Sequence, residues 1–193
     1  NASLGYTVFN DTTLNHRYGE LNGRTAIGSR GAIIAASKGM IICNSAGNEG
    51  DGAWHYIGVP ADAPGLIAVG AVDYEGQRAS FSSFGPTPDG RIKPDLVAPG
   101  DQVVTAGGLG VQLGLSSGTS LASPMLAGAI TSLWSAFPEK TGAEIMNAVF
   151  KSADQSENPD NMRGYGLPDI TGAWLDLGGY QAYAPNGRPE YFF

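Results

Sequence analysis

Gly118-Thr119-Ser120-Leu121-Ala122-Ser123-Pro124 is the stretch on which the reading of this 193-residue chain turns. Small residues flank a serine, and a proline then leads into Leu126, Ala129, Ile130, Leu133, Trp134 and Phe137, which recur at helical spacing until Pro138. The seven residues therefore open a long buried helix. A serine hydroxyl is a weak nucleophile unless the chain presents it to a substrate. The first turn of a helix does so with unpaired amide hydrogens and a dipole that favours developing negative charge. Gly118 permits a tight bend, Ala122 and Ser123 keep bulk away, and Pro124 is expected in the first turn, where its missing N–H is not needed. A Gly-Thr-Ser cap is the plainer reading of three residues alone. All seven together favour a nucleophile.

Outward from this stretch the chain alternates helical and strand patterns. Thr25 to Lys38 carries Ala26, Ile27, Ile33, Ile34 and Ala35 on one broad face and stops at Gly39, which reads as a helix with a glycine C-cap. Met40 to Ser45 is an apolar run of the kind found in parallel strands covered on both faces, and Leu66 to Val72 and Asp95 to Ala98 read likewise. Asn48 follows the first of these strands, at the carboxyl end where open parallel sheets place their ligands, and its amide can donate to an oxyanion. Gln102 to Thr105 and Val111 to Leu115 flank a glycine-rich turn over 106–110, a hairpin that delivers the chain to Gly118. Thr141-Gly142-Ala143-Glu144 is a capping box ahead of Ile145, Met146, Val149 and Phe150. Asp154 to Arg163 is a polar loop, and Pro168 starts a last helix bearing Ile170, Ala173, Trp174 and Leu177. Tyr6 to Arg24 is a polar, turn-rich surface loop near the cleft. Residues 1–178 read as one domain, and 179–193 as a tail that serves equally as linker or strap.

Composition narrows the function. With 42% hydrophobic residues the chain can bury a sizeable core, and its net charge of −7 argues against nucleic acid or an anionic membrane surface as partner. No run of 18 apolar residues spans a membrane. The single cysteine, Cys43, sits in an apolar strand and reads as a small buried hydrophobe.

G-T-S-x-A-S-P resembles the nucleophile signature of the subtilisin-like serine proteases, the subtilases (peptidase S8). Other segments resemble that family in the same order: Ser3-Leu4-Gly5, Ser45-Ala46-Gly47-Asn48-Glu49-Gly50, Val69-Gly70-Ala71-Val72, Ala79-Ser80-Phe81-Ser82-Ser83, Pro94 to Gly100 and Gly164-Tyr165-Gly166-Leu167. The likeness covers nearly the whole chain except the loop after Gly5 and the last dozen or so residues. It implies an α/β fold: part of a doubly wound, mostly parallel sheet with helices on both faces, its N-terminal strands missing. It implies a serine endopeptidase with Ser120 as nucleophile and Asn48 in the oxyanion hole, and with Ser3, Leu4, Gly5, Ser45, Ala46, Gly47 and Thr119 along the substrate cleft. The family's aspartate motif and its H-G-T-H histidine motif are absent, so the chain resembles the C-terminal part of a catalytic domain and is expected to be inactive alone. A polypeptide substrate and the upstream part of the same protease are the partners implied. The resemblance also implies a secreted or cell-surface protein, and no cofactor for the chemistry. Structural calcium is common in the family, but no ligand cluster here is assigned to it.

The rivals are few. His16 lies in the polar loop and His55 between Trp54 and Tyr56, and neither sits in a segment like the family's histidine motif. Gly118-x-Ser120-x-Ala122 approaches the nucleophile elbow of the α/β-hydrolases, but that fold needs a histidine after the serine, and none follows Ser120. A non-catalytic structural or binding module of subtilase descent stays open. The strand Met40 to Ser45 carries no lysine, proline or bulge signal, so it is expected to offer an uncovered sheet edge, and the chain either self-associates through it or needs the upstream segment to fold natively.

Overall fold

The computed structural model describes residues 1–106, 112–183 and 189–192, with side chains through Tyr180. Three parallel strands form its centre: β1 (Cys43–Ser45), β2 (Ile67–Val72) and β3 (Leu96–Pro99), in that spatial order. Every residue of β2 is buried, because both of its faces are covered. Ile67, Val69 and Ala71 point to one side, where Ala122, Leu126, Ile130 and Leu133 of α2 (Thr119–Ala136) pack on them. The helices α3 (Gly142–Lys151) and α4 (Ile170–Asp176) extend that layer through Ile145, Val149, Ala173 and Trp174. Leu66 and Ala68 point to the opposite side, into a smaller cluster with Ala46, Ile57, Ala63 and Ile33 of α1 (Ile27–Ser37). Helices on both faces of a parallel sheet are thus present as expected.

Local chemistry sets the helix ends. Past α1, Gly39 takes φ +88°, and the N–H groups of Gly39 and Met40 reach the carbonyls of Ala36 and Ala35 at 2.9 and 3.4 Å, a glycine-closed C-terminus. Thr141 and Glu144 exchange both bonds of the capping box, at 2.8 and 3.3 Å. Those hydrogen bonds to Thr141 hold the Glu144 carboxyl below the usual carboxylate range.

Several expectations are corrected. The first strand is only three residues long; Met40 precedes it and is 59% exposed. Its outer edge is not bare, because Ala2 pairs with it: Ala2 N–H donates to Cys43 O at 2.8 Å, and Ser45 N–H to Ala2 O at 3.0 Å. In α1, Ile27 and Ile34 are exposed while Ser29 is fully buried. The helix is turned by polar bonds, Ser29 Oγ to Asp62 Oδ1 at 2.5 Å and Gly28 N–H to the Tyr6 hydroxyl at 3.2 Å, which override its apolar pattern. The hairpin before the serine pairs β4 (Val103–Ala106) with β5 (Leu113–Ser116), and its expected turn and Val111 lie outside the described residues. The tail pairs β6 (Tyr180–Tyr183) with β7 (Pro189–Phe192) in a second antiparallel ribbon, which its lack of periodicity did not suggest.

The loop from Tyr6 to Arg24 is bolted down. Tyr6 and Val59 exchange backbone bonds at 3.0 and 3.4 Å, and Leu21 is fully buried beside Ala26 and Val59. Asp62, also fully buried, accepts from Gly23 N–H at 2.7 Å as well as from Ser29. Near the start of β3, Lys93 is 2% exposed and donates to Asp95 Oδ2 at 2.5 Å and Ala63 O at 3.2 Å. Asp95 Oδ2 also accepts from Ala68 N–H at 2.7 Å, tying β3 to β2.

Two outcomes follow from this packing. Asp62→Ala leaves a buried N–H and a buried hydroxyl unpaired and is expected to cost about 2–4 kcal/mol, read as a lower denaturant midpoint. Burial pushes the Cys43 thiol up to about 11. Since only the thiolate reacts, Cys43 should stay unmodified by a thiol reagent at pH 8 until the protein is unfolded.

Candidate active site

Asn48 and Ser120 come from opposite ends of the described core and meet at the carboxyl end of β1. Thr119 joins them. Its backbone N–H and its hydroxyl both donate to Asn48 Oδ1, each at 2.9 Å, and the hydroxyl accepts from Gly47 N–H at 3.2 Å. With Oδ1 taken by two donors, the amide has one orientation, and Nδ2 is left without a partner among the described residues. Gly118 lies beside it. The backbone there has φ +156°, and a Cβ would stand 3.5 Å from Asn48 Nδ2. Gly47 has φ +118°, and a Cβ would meet Ser83 Oγ at 2.8 Å.

Ser120 is the second residue of α2, and its N–H has no partner among the described residues. Pro124 is not in the first turn as expected; it is the sixth residue of the helix. A proline there cannot donate to the carbonyl four residues earlier, which is that of Ser120. Ser3 Oγ donates to that carbonyl instead, at 2.9 Å, and Ser123 Oγ donates to Asn1 Oδ1 at 2.7 Å. The residues before Leu4 are thereby sewn to the turn that carries Ser120.

A cleft of about 330 Å³ opens over these groups. Of the predicted residues, Ser3, Leu4, Gly5, Ser45, Gly47, Asn48, Thr119 and Ser120 all line it. Leu4 is 77% exposed, free to contact a ligand, whereas the Thr119 side chain is fully buried and spent on Asn48 and Gly47. Ala46 does not line the cleft: it is fully buried, its N–H donating to Val69 O and its carbonyl accepting from Gly58 N–H. Sequence reasoning did not find Tyr6, Trp54 and Tyr56, which form the far wall. Tyr56 is stacked on Tyr18 with ring centroids 4.0 Å apart, and the Tyr18 hydroxyl donates to Pro86 O at 2.9 Å. Burial raises the Tyr18 phenol above its ordinary value. Only the aromatic content of both segments hinted at this contact.

The two histidines stand apart from the cleft lining. His16 packs against Tyr6 and Phe9, with Nδ1 3.5 Å from Glu20 Oε2, and His55 stacks on Phe84 at 5.0 Å. Among the described residues no three His, Cys, Asp or Glu side chains group to hold a metal ion.

A family model described as the subtilase family matches residues 1–166. Subtilisin E of Bacillus subtilis (strain 168) is 38% identical over 122 residues, covering 62% of this chain and 30% of that protein. Membrane-bound transcription factor site-1 protease of Mus musculus is 34% identical over 155 residues, covering 75% of this chain and 14% of that one. The chain thus spans less than a third of these curated relatives. Among solved structures, the self-cleaved protease domain of PatA superposes with a TM-score of 0.64 at 26% identity, over 79% of this chain and 56% of that one. Prenylagaramide maturation protease PagA gives 0.62 at 25% identity, over 77% and 54%. The G-T-S-x-A-S-P turn, the Asn48 strand end and these matches converge: the chain belongs to the subtilase family.

Proposed function

We propose that this chain supplies the nucleophile and the oxyanion hole of a serine endopeptidase, whose general base and orienting carboxylate come from residues outside it. The observation that carries this reading is the double engagement of Asn48 Oδ1 by Thr119, which leaves Asn48 Nδ2 and the Ser120 N–H as two free donors beside one hydroxyl. A peptide carbonyl lying in the cleft would be attacked by Ser120 Oγ while its oxygen gains negative charge. Donors already aimed at that oxygen stabilise the charge without reorganising. The serine proton passes to a histidine, which gives it to the amine that leaves as the peptide C–N bond breaks, and water then hydrolyses the ester of the acyl-enzyme to free the acid and Ser120. The described residues that line the cleft include no histidine, and the rings of His16 and His55 pack on Tyr6, Phe9, Tyr56 and Phe84, so residues 1–193 alone are inactive on this reading. A peptide-binding module that no longer cuts is the second reading, favoured only by the lack of a histidine in the cleft lining.

The upstream part of the same protease is the natural partner, and a secreted or cell-surface setting suits the family. Among the described residues no helix is long and apolar enough to cross a membrane. Calcium bound elsewhere stays as an expectation from the family, whereas the edge of β1, paired by Ala2, lends no support to self-association through it.

The test is labelling by a fluorophosphonate probe. The complete protein should be labelled at Ser120 and residues 1–193 alone negligibly; fast labelling of the shorter chain that His55→Ala abolishes would overturn the assignment of the base. In the complete protein Ser120→Ala should abolish turnover. Asn48→Ala should lower kcat with little change in KM, because its donor acts on charge present mainly in the transition state. Removing one such donor in subtilisin costs about 10²–10³ in kcat, a value that belongs to that relative. Thr119→Val removes one of the two hydrogen bonds that hold Asn48 Oδ1 and leaves the backbone one, so it should lower kcat less than Asn48→Ala does, whereas Thr119→Ser should keep it.

A further inference from the structure

Resting on that reading of Ser120, we propose that Asn44 is a positioning residue, whose side-chain amide stands where one more rung of strand pairing would form and so holds the peptide cleft open. Asn44 is fully buried in the middle of β1, where a polar side chain is costly without partners. Its neighbours across the sheet are Ala2 and Ala68, too small to crowd an amide. Ala2 pairs with β1 in parallel: its N–H donates to Cys43 O, and its carbonyl accepts from Ser45 N–H. A parallel ladder advances two residues per rung, so its next bond would run from Leu4 N–H to Ser45 O. That bond is not made. Leu4 N–H has no partner among the described residues, and Ser45 O accepts from Asn44 Nδ2 at 2.8 Å. The same amide nitrogen reaches Leu4 O at 3.4 Å, and two carbonyl acceptors fix which end of the amide faces them.

The two chain segments part at this amide. Ser3, Leu4 and Gly5 line the cleft from one of them, Ser45 and Gly47 from the other. One further rung would draw Leu4 onto Ser45 and take width from the space beside Ser120. Ser3 would stay tied to Ser120 O at 2.9 Å, so the closure would fall on the room for a peptide rather than on the serine. Asn44 Oδ1 points the same way. It is buried with no partner among the described residues, which lowers stability. A side chain present only to support the fold gains nothing from an unpaired acceptor, whereas sites commonly keep such a residue at the expense of stability. An apolar side chain at position 44 would remove the unpaired acceptor and the wedge together, and leave Ser45 O to Leu4 N–H.

Asn44→Leu in the complete protein tests this, with the smaller Asn44→Val for the case in which leucine is too large to fit; neither side chain can donate. Hydrogen exchange at the Leu4 amide should slow by about tenfold or more as that N–H takes up Ser45 O. The denaturant midpoint should hold or rise, because a buried unpaired acceptor is gone. In peptide hydrolysis KM should rise about three- to tenfold with kcat nearly unchanged. A small fluorophosphonate, which does not fill the cleft, should label Ser120 at close to the original rate. Unchanged exchange at Leu4 or an unchanged KM would overturn the proposal. So would loss of the fold, or a midpoint and labelling rate that fall together, in both variants, since Asn44 would then be a support of the fold. Failure of the peptidase reading is separate: it appears as absent labelling and turnover in the protein that retains Asn44, and leaves the exchange and midpoint results to be read on their own.

Discussion

One acceptor atom, Asn48 Oδ1, holds the site together. Both hydrogen bonds it receives come from Thr119, so the end of β1 and the start of α2 cannot shift independently. The contact is local in space, yet it depends on the whole core. Asn48 is where it is because β1 pairs with the fully buried β2, and Thr119 is where it is because α2 lies against the same strand. Gly118 takes φ +156°, a backbone conformation that residues with a side chain rarely adopt, so the motif's first residue is fixed by its backbone and not by want of space beside Asn48.

Much of this was legible in the sequence, where the signal is short-range. The buried strands, the helix after Ser120, the glycine-closed end of α1 and the Thr141–Glu144 box each declare themselves within a few residues. The meeting of Asn48 and Ser120 in one cleft was also legible, since each sits in a motif at a strand or helix end. The uses of Thr119, Ser3 and Tyr18 were not. Their partners lie far away along the chain: Gly47 and Asn48 for Thr119, Ser120 for Ser3, Tyr56 and Pro86 for Tyr18. The turn of α1 misled because Ser29, a polar residue, is the one that faces inward, drawn by Asp62. Pro124 misled in a more useful way. Placed deeper in the helix than its type suggests, it releases the Ser120 carbonyl for Ser3.

The cleft is thus built from two kinds of part. Ser3, Gly47, Asn48, Thr119 and Ser120 form a polar floor whose hydrogen bonds are nearly all internal, except for the two donors left free. Tyr6, Trp54 and Tyr56 form a wall held by stacking and by the clamped loop, with Glu49 at its margin. The two share few bonds, so the wall can change with little effect on the geometry beneath it.

The stitch between Ser3 and Ser120 spans 117 residues, and that between Asn1 and Ser123 spans 122. Contacts so remote in sequence form late, since the loop they close must lose its freedom before they return anything. At rates of synthesis of about 5–20 residues per second, Ser3 leaves the ribosome roughly 6 to 23 seconds before Ser120 does. During that interval the sheet edge beside Ala2 can form, but the carbonyl that Ser3 will hold does not yet exist. The bond that anchors the Ser120 turn to Ser3 is thus acquired late in folding, after both ends of that long loop have been made.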